Sequence, residues 1–187
     1  MDALVTAFVT AALGEWGDRT QLIVAMLAAQ SGRPGRVMIG LFLAALVSSL
    51  AAAFAGILIG SAITIRAMTL MVALALLFAG VSGLIRRREP TAGSPGMPLI
   101  LAAFVLCLAA EIGDRTQFMT FALAGRFNSP ALAAAGATAG IFATALPAAL
   151  LGARLKAVVP MRAIRIGGAV LFLIAGFITA INALQLT

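Results

Sequence analysis

Glu15-Trp16-Gly17-Asp18-Arg19-Thr20 and Glu111-Ile112-Gly113-Asp114-Arg115-Thr116 decide how this chain is read, and each is followed by a glutamine, Gln21 or Gln117. The two hexapeptides stand 96 residues apart, each inside a long apolar run, and together hold four of the six acidic residues. Charge deep in an apolar helix is costly and by default marks ion or proton handling. The same charged unit occurring twice points to a duplicated transport site.

Composition sets the solvent. The 187 residues are 63% hydrophobic and 10% charged, with a mean hydropathy of +1.13. A soluble domain of this length cannot bury so much apolar surface, so the expectation is a single all-α membrane domain in a lipid bilayer. The net charge of +7 does not indicate nucleic acid, because the basic residues are scattered at helix ends rather than gathered on one face. Cys107 is the lone cysteine, so no internal disulfide forms. The N-terminus lacks a basic n-region and is read as uncleaved.

Apolar runs broken by Gly, Pro and Arg predict six transmembrane helices, at about residues 3–29, 37–63, 67–85, 98–124, 131–153 and 164–184. Each is long enough for the roughly 20 residues a crossing needs. The organisation expected is a first three-helix repeat over 1–85, a cytoplasmic linker over 86–97, and a second three-helix repeat over 98–187. Loops one, three and five carry nine basic residues, Arg33, Arg36, Arg86, Arg87, Arg88, Arg154, Lys156, Arg162 and Arg165, against Arg66 and Arg126 in loops two and four. That bias puts the odd loops in the cytoplasm and both termini outside. Three spans per half then make the two repeats inverted, an architecture that places a transport site at the midplane between halves. Beyond the motif the repeat is faint. Gly32-Arg33 returns loosely as Gly125-Arg126, and Pro147 has no proline counterpart.

On a continuous helix, with about 100° per residue, Glu15, Asp18 and Arg19 share a face, as do Glu111, Asp114 and Arg115. Each arginine would then pair with the glutamate four residues before it. Each copy keeps one excess negative charge, so the pair could be neutralised by one divalent cation or by two protons. Unpaired, three charges per helix would cost roughly 8–10 kcal/mol, so these faces are expected to meet inside the bundle. Thr20, Gln21, Thr116 and Gln117 are candidate auxiliary ligands. They reach the carboxylates only if the helices unwind at Gly17 and Gly113, and a regular helix stays an equal alternative. An oxygen-rich site without histidine suits Ca2+, Mn2+ or Mg2+ better than Zn2+ or Cu+. Met26 and Met119 read as packing residues. Gly56, Gly60, Gly136 and Gly140 read as close-packing surfaces, and Ser48, Ser49, Thr138 and Thr144 either line a path or bond between helices.

At these residues the chain resembles the Golgi, chloroplast and bacterial cation/proton antiporters, whose signature is E-x-G-D-[KR]-[ST] and which belong to the lysine-exporter superfamily. The resemblance covers the whole chain, with one signature in each half. It implies export of Mn2+ and/or Ca2+ from the cytosol in exchange for protons. It also implies that Glu15, Asp18, Glu111 and Asp114 bind cation or proton, with Arg19 and Arg115 balancing charge and Thr20 and Thr116 assisting. No prosthetic group is expected, the metal being the transported substrate, and no enzymatic activity. The short basic central loop and the lack of a targeting extension suggest a bacterial inner-membrane protein, with a homodimer left open.

Three rival readings follow from the same residues. A small organic-solute exporter of the same superfamily, for instance for an amino acid, would use these charges for an ammonium and a carboxylate. An intramembrane aspartyl protease is disfavoured because Glu15 stands where G-x-G-D needs glycine, and because the chain has no tyrosine for a companion dipeptide. A structural clamp or scaffold does not require the same six-residue pattern twice.

Overall fold

The computed structural model describes residues 1–85 and 96–184, and among them every regular element is helical. The first half contains α1 Asp2–Glu15, α2 Arg19–Ser31, α3 Pro34–Gly60 and α4 Ile65–Leu84. The second contains α5 Leu99–Glu111, α6 Arg115–Phe127 and α7 Pro130–Leu151, then a 3-10 turn Gly152–Arg154, α8 Leu155–Val158 and α9 Met161–Leu184. Among the described residues four helices are long and apolar enough to cross a membrane: α3, α4, α7 with its following turn, and α9. The two other expected spans, 3–29 and 98–124, are each divided by a hexapeptide into two shorter helices. Most of the expected linker, including Arg86 to Glu89, and the last three residues of the tail lie outside the described residues.

The helix ends show why the chain folds this way. Pro34 and Pro130 each occupy the first turn of a long helix, where proline's missing N–H costs nothing. Just before them, Gly32 and Asn128 end α2 and α6 in the left-handed conformation that stops a helix. Thr64 caps α4 by accepting from the Ala67 N–H. The register of the repeat therefore pairs Gly32 with Asn128 and Pro34 with Pro130, at the same 96-residue offset as the motifs. The looser match of Gly32-Arg33 to Gly125-Arg126 is a misalignment.

Packing follows that offset too. A Cβ at Gly40 of α3 would run into the Ile100 carbonyl and Ala103 of α5; one at Gly136 of α7 would run into the Leu4 carbonyl and Ala7 of α1. Gly80 of α4 meets Ala169 and Leu173 of α9, while Gly176 of α9 meets Ala73 and Leu77 of α4. Every member of one set has its counterpart in the other, so the two halves embrace by equivalent contacts.

The interior is built mainly from alanine, as at Ala7, Ala11, Ala44, Ala79, Ala103 and Ala137, whereas large apolar side chains such as Phe54, Leu58, Leu171 and Phe177 point outward. A water-soluble fold buries its large side chains. Small residues inside and large ones outside suit helices that pack closely in lipid, where dispersion and close approach replace hydrophobic driving force. With the long apolar helices, this makes the chain a multi-pass membrane protein.

A candidate cation site at two broken helices

Both hexapeptides break their helix in the same way. Trp16 and Ile112 leave α1 and α5 in an extended conformation with identical angles, φ −64° and ψ 120°. Gly17 and Gly113 follow at φ +73° and +74°, a region where a side chain is strained. Asp18 and Asp114 are extended again and start α2 and α6. The glutamine of each motif holds its own break, since the Gly17 N–H donates to Gln21 Oε1 at 2.9 Å and the Gly113 N–H to Gln117 Oε1 at 2.8 Å. Each amide then reaches a neighbouring long helix. Gln21 Nε2 donates to the Thr144 carbonyl of α7 at 2.8 Å, and Gln117 Nε2 to Ser48 Oγ of α3 at 3.4 Å. Of the two alternatives open in the sequence, the unwound helix is the one found.

Unwinding removes the expected pairing inside each motif. Arg19 no longer follows Glu15 on one helix and is exposed, and Arg115 no longer stacks on Glu111. Contacts run between the halves instead. Thr20 Oγ1 donates to Glu111 Oε1 at 2.8 Å, and Thr116 Oγ1 donates to Glu15 Oε1 at 2.5 Å. Arg115 Nη2 lies 3.7 Å from Asp18 Oδ1, with both side chains buried.

One oxygen each from Glu15, Asp18 and Asp114 lie within 4.8 Å of one another. Metal–oxygen distances of about 2.3–2.6 Å for Ca2+ let a single ion sit among atoms so spaced. Glu15 is 1% exposed, and its Oε2 has no hydrogen-bond partner among the described residues. A buried carboxylate oxygen without a donor is costly unless something positive completes it. Glu111 is equally buried but stands outside this trio, tied to Thr20.

The residues singled out in the sequence are thus sorted by the structure. Glu15, Asp18 and Asp114 converge, Arg115 joins them across the halves, and Thr20 and Thr116 hold the glutamates. Gln21 and Gln117 brace the breaks rather than the carboxylates, and Arg19 stays out. Ser48 and Thr144 accept from those glutamines, while Met119 packs in the core. Sequence reading passed over Arg165 of α9, whose side chain lies against Gly17, 3.6 Å from where a Cβ would be. Its only signal was a basic residue near the start of the last span. Beside the second break a cavity of about 790 Å3 opens, lined by the polar residues Asp114 and Gln117, by Gly113, and by the apolar Leu74, Phe78, Phe118 and Phe121.

The family described as divalent cation/proton antiporter GDT1 matches residues 3–91 and again residues 99–187. A protein of Vibrio cholerae serotype O1 described as "Putative manganese exporter" is 29% identical over 184 residues, which cover 96% of this chain and 91% of that protein. No solved structure matches the chain. With both halves matched and a carboxylate cluster where the halves meet, the chain belongs to the divalent cation/proton antiporter GDT1 family, whose members are membrane transporters of divalent cations.

Proposed function

We propose that this protein exports a divalent cation, Mn2+ and/or Ca2+, from the cytosol in exchange for protons. Its architecture in this reading is six spans arranged as two inverted three-helix repeats, 1–85 and 98–187, with both termini outside a bacterial inner membrane. The observation that carries the proposal is the convergence of Glu15, Asp18 and Asp114 from both halves around the unpartnered Glu15 Oε2. The matched breaks and the family's two-part match support the repeat. The relative's description supports manganese, and the all-oxygen donor set suits either ion.

Exchange follows from the charge count. With Arg19 outside the site, the three clustered carboxylates of Glu15, Asp18 and Asp114 against Arg115 leave two excess negative charges, which one divalent ion or two protons neutralise. Glu15, Asp18 and Asp114 hold the ion in this reading. Glu111, kept apart by Thr20, stays available to carry a proton. Oxygens no more than 4.8 Å apart enclose a single ion rather than an amino acid, so the organic-solute reading gains no support.

The test is a proteoliposome flux assay with Mn2+ or Ca2+ imposed as a gradient and a pH dye inside. Cation movement with opposite proton movement is expected, and it should be lost in Glu15→Gln. Cation flux without any proton counterflow would remove the exchange; no cation flux from intact protein would remove the whole reading.

A further inference from the structure

Arg115 and Arg19 occupy the same place in the two motifs, yet only Arg115 has a slot prepared for it. Its guanidinium crosses from the second half to Asp18 of the first, is 3% exposed, and keeps its Nε without a hydrogen-bond partner among the described residues. Two glycines form the slot walls. A Cβ at Gly83, near the end of α4, would lie 3.1 Å from Arg115 Nη1, and one at Gly14 of α1 would lie 3.9 Å from Arg115 Nε. At the 96-residue offset those positions become Thr179 and Ala110, so the equivalent slot for Arg19 carries side chains where Arg115 finds none. Arg19 is exposed. The difference between the two arginines is therefore written in the sequence around them, not in the motif.

We infer that Arg115 is a tethered cation that occupies Asp18 while the site holds no metal and is displaced from it when a divalent ion binds, a role Arg19 does not share. This rests on the reading of Glu15, Asp18 and Asp114 as the cation site. An ion coordinated by Asp18 and the guanidinium 3.7 Å from that carboxylate would repel one another strongly in a water-poor interior. The arginine must leave for the ion to bind, and its return helps expel the ion. Its contact at Gly83 ties that movement to the end of α4. Arg115 therefore weakens binding and speeds release.

The experiment measures Mn2+ affinity by calorimetry on purified full-length protein, alongside Mn2+ flux in proteoliposomes and thermal unfolding. Arg115→Gln should bind Mn2+ about tenfold more tightly while saturated flux falls, and Arg115→Lys should lie between it and the parent. Arg19→Gln should leave affinity within about twofold. Gly83→Ala, which crowds the guanidinium off Asp18, should tighten binding in the same direction and serves if Arg115→Gln does not fold. Unchanged or weaker Mn2+ binding in a cooperatively unfolding Arg115→Gln, or in Gly83→Ala should the first not fold, overturns the inference. Parent protein that binds no Mn2+, or Asp18→Asn that binds it like the parent, overturns the site reading itself.

Discussion

Around the first break, Glu15, Asp18, Thr20 and Gln21 are all buried, and Met161 and Arg165 of α9 close over Gly17. Around the second, Ile112 is 68% exposed and no described residue lies within 4 Å of where a Gly113 Cβ would be. Yet the backbone angles and the bracing glutamine are the same in both. The difference comes from what covers them. Arg165 on α9 corresponds to Thr69 on α4, which instead accepts from Arg126 Nε at 2.9 Å. The motif builds the break; the last long helix of the opposite half, α9 for Gly17, decides whether it is shut in.

That comparison can be broken at several points. The largest effect is expected at the carboxylates of the shut-in break, where Glu15→Gln or Asp18→Asn should lower Mn2+ flux about 100-fold or more, equivalent to roughly 2.7 kcal/mol of lost transition-state stabilisation. Retention of full flux by either would show that the buried break is only structural. Next come the equivalent close approaches. Gly40→Ala and Gly136→Ala should each destabilise the protein by about 2–3 kcal/mol, since the new methyl meets a backbone carbonyl. Thermal unfolding that harms one and spares the other would deny the two-fold packing.

A smaller, unequal effect is expected at the bracing glutamines. Gln21→Leu abandons the part-buried bond from Gly17 and the buried bond to Thr144 and should cost about 1–3 kcal/mol, whereas Gln117→Leu, with its 3.4 Å bond to Ser48, should cost about half as much. Equal losses in denaturant titration would mean the two breaks are equally enclosed. The smallest effect is at the cover itself. In a Cys107→Ala background carrying Trp16→Cys, Arg165→Gln should raise thiol labelling at residue 16 about threefold with little change in Tm. No change in labelling would show that Arg165 does not shield the break.

Much of this was legible in the sequence, for reasons that can be named. The long helices α3, α4, α7 and α9 announce themselves by apolar length, and the expected boundaries fall within three residues of the observed ones. The doubled hexapeptide identified the site-bearing segments because charge in an apolar run is too costly to be kept without a role. The side-chain partners of Glu15 and Glu111 could not be read that way. A helical wheel assumes a continuous helix, and one left-handed glycine in each motif cancels it, so Arg115 meets Asp18 of the other half. Beyond the motif the repeat was masked because equivalent contacts are made by small residues, Gly40 with Ala103 and Gly136 with Ala7, which carry little identity in an alanine-rich chain. The slot at Gly14 and Gly83 was invisible for the same reason.

The exchanged hydroxyls have a consequence of their own. Thr20 donates to Glu111 and Thr116 to Glu15, so neither half satisfies its own glutamate. In that respect each half treats the other as a partner subunit to which it is joined by a short tether. Severing that tether between residues 86 and 97 and co-producing the pieces should still yield the complete pair, while either piece alone would carry a glutamate in want of its hydroxyl.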